Sequence, residues 1–264
     1  MSFGSVPILA AVAIQLLLIP SVVSSLNITN DYLHHACNNT QGKYKWGSVF
    51  EKNLNTVIKN ISTFDLRNGY ALDSNIDTPY FDIPANTVFV MLQCRGDSYG
   101  PKCHSCLATA LAGLRKKCPG NKGATIWYDQ CLLDISTYNS GDKYKLKRIH
   151  YDNYLCITNP KDVSGDKRMF EKKRKVLTDK LLSEIKKTGD DNRGTLYATG
   201  ETMFGTKKLY GMVQCTNELK ANGCYVCLEW LVKDHVFCGL DEQGSRLMCR
   251  SCYARFEFYP FLRT

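Results

Sequence analysis

The sequence predicts an α+β protein of two tandem disulfide-stapled domains, each with two helices packed on a small antiparallel β-sheet. Three observations lead there. Six cysteines, at 37, 94, 103, 106, 118 and 131, return at 156, 215, 224, 227, 238 and 252, each after 119–121 residues. Their flanks repeat with them: Met91-Leu92-Gln93-Cys94 answers Met212-Val213-Gln214-Cys215, and Phe50-Glu51-Lys52 answers Phe170-Glu171-Lys172. Within each unit, apolar residues at helical spacing are followed by Val-, Ile-, Tyr- and Phe-rich runs. The period is too long for a solenoid, so each unit is a domain.

The elements follow in order. Residues 1–25 carry no Asp, Glu, Lys or Arg, and Val6 to Pro20 form a fifteen-residue apolar core ahead of the small residues Val23-Ser24-Ser25. A membrane anchor needs about 20 apolar residues. This shorter run reads as a cleaved secretory signal over 1–25, with the mature chain starting near Leu26. No later stretch has the length and apolarity of a transmembrane span. The first domain is expected over 26–139, a linker over 140–144 and the second domain over 145–264. Sequons at Asn27, Asn38 and Asn60 are N-glycosylation candidates in a secreted chain.

In the first unit, Val49, Phe50, Leu54, Val57, Ile58 and Ile61 mark a helix. A second, short helix starts at Cys103-x-x-Cys106 and carries Leu107, Leu111 and Leu114. Thr87–Cys94 and Ala124–Ile135 read as strands. In the second unit the helices carry Phe170, Leu177, Leu181 and Ile185, then Leu228 and Leu231 after Cys224-x-x-Cys227. Leu209–Cys215 and Arg246–Tyr259 are the matching strands. Packing two helices on such a sheet buries one face of each.

Composition narrows the function. The chain is 44% apolar and 22% charged, which excludes extensive disorder. Of its +9 formal charge, a net +6 lies between Lys167 and Lys187. That face, with Lys172, Lys173, Arg174 and Lys175, is either a solvated helix surface or a seat for acidic cell-wall polysaccharide. Nucleic acid is not an expected partner outside the cell. His34, His35, His104, His150 and His235 fall in no nucleophile or zinc-protease motif, and no phosphate loop appears, so the chain reads as non-enzymatic and without a cofactor. Three C-x-x-C pairs, at 103/106, 224/227 and 249/252, have zinc-ligand spacing. Secretion into an oxidising compartment, and the absence of a first-unit counterpart to Cys249, favour structural disulfides over a metal. Spacing alone leaves fifteen pairings open in each unit.

The pattern Cys94-x8-Cys103-x2-Cys106, repeated as Cys215-x8-Cys224-x2-Cys227, resembles the plant cysteine-rich repeat secretory proteins, built of ginkbilobin-homology domains. Gly244-Ser245-Arg246-Leu247 and Cys252-Tyr253-Ala254-Arg255-Phe256-Glu257 carry the same likeness. The resemblance implies the pairs Cys37–Cys118, Cys94–Cys103, Cys106–Cys131, Cys156–Cys238, Cys215–Cys224 and Cys227–Cys252. Cys249 is left as a free thiol or an intermolecular link. The resemblance also implies an apoplastic binding protein in plant defence or signalling. Its ligand would be carbohydrate, the alternative being a structural or protein-interaction module without sugar affinity. Such domains can bind mannose through an Asn after the first cysteine, an Arg six before the last and a Glu five after it. The first unit has Asn38, Thr125 and Ser136 there; the second has Ile157, Arg246 and Glu257. The expected carbohydrate contacts are therefore Asn38, Arg246 and Glu257, each unit keeping part of the set.

Overall fold

The computed structural model of the chain describes residues 30–75, 86–137, 149–188, 196–233 and 238–262. The first unit runs β1 (Tyr32–Lys43), α1 (Val49–Thr63), β2 (Tyr70–Ser74), β3 (Phe89–Cys94), α2 (Pro101–Lys117), β4 (Asn121–Tyr128) and β5 (Cys131–Ser136). The second runs β6 (Leu155–Thr158), α3 (Lys167–Lys187), β7 (Tyr197–Phe204), β8 (Lys207–Cys215), α4 (Ala221–Lys233), β9 (Gly244–Met248) and β10 (Cys252–Glu257). Each unit is a five-stranded antiparallel sheet of the same topology, β1-β4-β5-β3-β2 and β6-β9-β10-β8-β7. The leader and linker expected over 1–25 and 140–144 lie outside the described residues.

Local chemistry sets the helices. Ser48 caps α1 by accepting from the Glu51 N–H, and Glu51 reaches back to the Gly47 N–H at 2.6 Å. The buried stripe is Phe50, Leu54, Val57 and Ile61, the spacing of one helical face. Asp166 caps α3 in the same way, through the Met169 N–H. Pro101 opens α2 and Arg115, Lys116 and Lys117 close it, matching the helix dipole. Neither C-x-x-C helix is short: α2 has 17 residues and α4 has 13. Under α3, Gly200 and Gly211 face each other across β7 and β8. A Cβ on Gly211 would come within 2.9 Å of the Leu177 side chain, so glycine lets the helix settle on the sheet.

Two expected strands are really hairpins. Ala124–Ile135 folds back at Asp129-Gln130, and Arg246–Tyr259 at Cys249–Ser251. Each turn is only two or three residues long and carries no Gly or Pro, so the expected run spans the break. Strands β1, β2, β6 and β7 were missing from the sequence reading. They are the outer strands of their sheets, more polar and more exposed than the centre.

Six disulfides staple the units: Cys37–Cys118, Cys94–Cys103, Cys106–Cys131, Cys156–Cys238, Cys215–Cys224 and Cys227–Cys252. Neither of the first two C-x-x-C motifs is a bonded pair, because each cysteine joins its helix to a different element. Cys249 is a buried free thiol, 3.8 Å from Cys227 Sγ and 3.5 Å from Cys252 Sγ. Burial pushes this thiol up to about 11. Iodoacetamide at pH 7.5 should therefore leave the native protein unlabelled and add one group after denaturation without reductant. Rapid native labelling of Cys249, read by peptide mass, would contradict the burial.

Successive residues of the central strands serve two cores. In β3, Val90, Leu92 and Cys94 point to the helices, while Met91 and Gln93 point the other way. That second face is not left to solvent. Met91, Trp127 and Leu132 of the first sheet pack with Met248 of the second, flanked by Tyr70, Ile157 and Tyr253. The molecule is thus layered helices, sheet, sheet, helices.

Candidate functional site

The units meet with an approximate twofold relation, seen in reciprocal hydrogen bonds between equivalent residues. The Asn217 N–H donates to Gln93 Oε1 at 2.9 Å, and the Gly96 N–H donates to Gln214 Oε1 at 3.2 Å. Gln93 and Gln214 stand at the same place in the repeat, as do Gly96 and Asn217. Gly96 must lack a side chain, since its Cβ would strike the Tyr197 ring.

Two polar flanks lie on either side of this apolar contact, and only one is filled. In the filled flank Asp129 of the first unit receives three guanidiniums: Arg95 at 2.9 Å, Arg255 at 2.8 Å and Arg246 at 3.2 Å. Arg95 also grips Asp97 at 2.6 Å, and Arg255 grips Glu257 at 3.1 Å. Arg95 additionally donates to the Phe261 carbonyl, tying down the C-terminal segment. Three cations and three carboxylates balance here. Burial opposes the Arg95 charge, but the hydrogen bond and charge of Asp97, with Asp129, overcome it and raise the group.

In the other flank, the equivalent positions hold smaller groups. Arg95, Arg246 and Glu257 are answered by Thr216, Thr125 and Ser136. Where Arg246 and Glu257 filled space, Thr125 and Ser136 leave a cleft of about 610 Å³. It is lined by Asn38, Thr125, Asp134 and Ser136 from the first unit and His150, Asp152, Glu218 and Arg250 from the second. Its size lies within the range of small-molecule sites. Arg250 bonds Asp134 at 2.8 Å, and Asp134 also accepts from Thr125 at 2.5 Å. Burial works against the Arg250 charge, and the Asp134 and Glu218 carboxylates more than offset it. The Glu218 carboxyl is raised, first by burial, with Asp134 adding and Arg250 and His150 opposing. Asp152 is lowered by its bond to His150.

The expected sugar residues are divided between the flanks. Asn38 sits at the cleft mouth, its Oδ1 accepting from the Thr40 N–H at 3.0 Å. Arg246 and Glu257 lie 3.7 Å apart in the filled flank, with side chains 15% and 6% exposed. They are interface residues here, because the first unit covers the face that an isolated domain would offer to sugar. Ile157 stands beside Arg246 in register and packs in the same contact. Arg174 also changes role. It is buried and donates to the Cys238 and Gly239 carbonyls, so it is not part of a polyanion face. Lys175 pairs with Asp179, while Lys172 stays exposed and Lys173 half-buried. Sequon Asn60 is exposed on α1, and Asn27 and His235 lie outside the described residues. Asp134, Glu218 and Arg250 were missed by sequence reasoning. Their signal was present as charged residues replacing or facing their repeat counterparts.

Comparison with known proteins places this architecture. The family model for salt stress response/antifungal domains matches residues 36–138 and 155–259. Cysteine-rich repeat secretory protein 26 of Arabidopsis thaliana is 54% identical over 99% of this chain and 98% of its own. Putative cysteine-rich repeat secretory protein 13 of the same plant is 54% identical over 97% of this chain and 98% of its own. Among solved structures, the tandem DUF26 ectodomain of the Arabidopsis thaliana cysteine-rich receptor-like protein PDLP8 aligns with a TM-score of 0.69. It is 21% identical and covers 88% of this chain and all of its own. The PDLP5 ectodomain aligns with the same TM-score at 23% identity, covering 87% of this chain and all of its own.

Proposed function

The chain belongs to the salt stress response/antifungal family, and from that premise we propose that it is a secreted, non-enzymatic protein binding a hydroxyl-rich carbohydrate in the cleft between its two units. The observation that carries this is the open flank. One half of a near-symmetric contact is filled by its own side chains, while the other half is hollow and lined with polar groups. Asn38 offers an amide, Thr125 and Ser136 offer hydroxyls, and Asp134 is a carboxylate held in place by Arg250. Sugar hydroxyls need such fixed donors and acceptors together. The relatives named as secretory proteins, and a described chain with no helix long and apolar enough to cross a membrane, support the extracellular assignment.

The test is a glycan panel applied to the secreted wild type and to Ser136→Trp, which places a ring in the cleft at a half-buried position. Retention of a neutral oligosaccharide by the wild type, lost in the variant at unchanged Tm, supports the site. Equal retention by both would move the sugar elsewhere. No retention would favour the rival protein-interaction module, which the structure also motivates, since this sheet face already packs module against module. The acidic-polysaccharide reading of α3 is narrower than its charge implies, resting on Lys172 and Lys173.

A further inference from the structure

Resting on that reading of the cleft, we propose that Glu218 receives the ammonium group of an amino sugar with a free amine. In the filled flank, the counterpart of Glu218 is Asp97, and Arg95 grips it at 2.6 Å. The counterpart of Arg95 is Thr216, which supplies no charge. Glu218 is therefore built into the same place as Asp97 without the cation that answers it. Its side chain is only 7% exposed, and its carboxylate makes no hydrogen bond among the described residues. The nearest cation, Arg250 Nη2, stands 3.9 Å away and is committed to Asp134 at 2.8 Å. A mostly buried carboxylate that shares one distant arginine with a second carboxylate, lining a cavity, is an under-compensated arrangement that a cationic ligand relieves.

The rest of the cleft defines the class. Asp134, Glu218 and Asp152 face a single arginine, Arg250, so the lining carries excess negative charge and repels uronates. The groups facing Glu218 are Arg250, Asp134 and His150, with the Tyr70 hydroxyl nearby from the first unit. A lysine-bearing peptide would satisfy Glu218 but leave Asn38, Thr125 and Ser136 without hydroxyl partners. An amino sugar satisfies both sets. Burial raises the Glu218 carboxyl, and a bound ammonium would draw it down again. Binding should therefore release a proton, strengthen as pH rises through the Glu218 titration, and weaken when the ligand amine loses its own proton.

The test is isothermal titration of the whole secreted protein with glucosamine tetramer, N-acetylglucosamine tetramer, mannotriose, trigalacturonate and tetralysine. Glucosamine tetramer is expected to bind at least tenfold more tightly than its acetylated form. Glu218→Gln should abolish that preference, and Glu218→Asp should keep part of it. Asn38→Ala should weaken both sugars alike, with Tm monitored for every variant. Equal affinity for the two tetramers, or a preference that survives Glu218→Gln, would overturn the inference while leaving carbohydrate binding intact. Tighter binding of tetralysine than of the amino sugar would assign Glu218 to a peptide instead. Failure of every sugar would overturn the underlying reading as well.

Discussion

Asp129→Ala is expected to cost about 3–5 kcal/mol of stability, the range for breaking a buried ion pair by removing one partner. Asp129 is the shared acceptor of Arg95, Arg255 and Arg246, at 2.9, 2.8 and 3.2 Å. Its loss leaves three guanidiniums facing only Asp97 and Glu257. Arg95 and Arg255 are each only 2% exposed at the side chain, so water cannot replace the lost carboxylate. For a chain of this size the cost corresponds to a Tm drop of roughly 6–20 °C. Thermal unfolding followed by near-UV circular dichroism, which reports Trp127 in the contact, measures it. A drop of only a degree or two would mean that the apolar contact of Met91, Trp127, Leu132 and Met248 holds the units without the network.

The same network explains why the two units pair with each other. Asp129 and Arg250 occupy equivalent positions in the repeat, and so do Asp134 and Arg255. The structure joins Asp129 to Arg255 and Arg250 to Asp134, the same contact twice with the charges exchanged. Two copies of the first unit would set Asp129 against Asp134. Two copies of the second would set Arg250 against Arg255. Only the mixed pair satisfies both contacts, so specificity arises from repulsion in the alternatives as well as attraction in the native pair.

Much of the fold was legible because cysteines and helix stripes speak locally. The offset of Cys94, Cys103 and Cys106 from their repeats exposed two domains, and Phe50, Leu54, Val57 and Ile61 exposed α1. The hairpins at Asp129 and Arg250 were hidden because their turns are short and carry no Gly or Pro to mark them. The site was harder. Arg246 and Glu257 looked like sugar contacts when each domain was read alone, yet packing covers them. The repeated Gln93 and Gln214 were visible as a motif, but their task is across the boundary, where each accepts a backbone N–H from the other unit. The charged contacts between units are written in differences between repeat halves, such as Arg95 against Thr216. A search for shared residues passes over those.

Arg250→Met is expected to destabilise the protein in a pH-dependent way, about 3–5 kcal/mol at neutral pH and less in acid. Among the described residues, Arg250 is the one cation within ion-pair distance of both Asp134 and Glu218, at 2.8 and 3.9 Å. Without it two buried carboxylates face each other with only His150 nearby to offset Glu218. The Glu218 carboxyl, already raised by burial, then rises further above its unfolded value of about 4.3. The folded state consequently holds more protons than the unfolded state between that value and the raised one. Stability falls as pH climbs through that window and is regained as pH drops through it. The wild type shows the same sign more weakly, because Glu218 is already raised by burial and only partly held down by Arg250. Asp152 pulls the other way, since its bond to His150 lowers it, but that bond is untouched by the substitution. Thermal unfolding of both proteins from pH 4.5 to 7.5 should show a Tm gap that is widest at pH 7.5 and narrows steadily toward pH 4.5. Glu218→Gln added to Arg250→Met should recover part of the loss at neutral pH and flatten the slope, because one of the two opposed charges is then gone. A Tm gap that stays constant across this range would mean that the Arg250 side chain supports the boundary by its shape, and that Glu218 is neutral in the folded protein throughout.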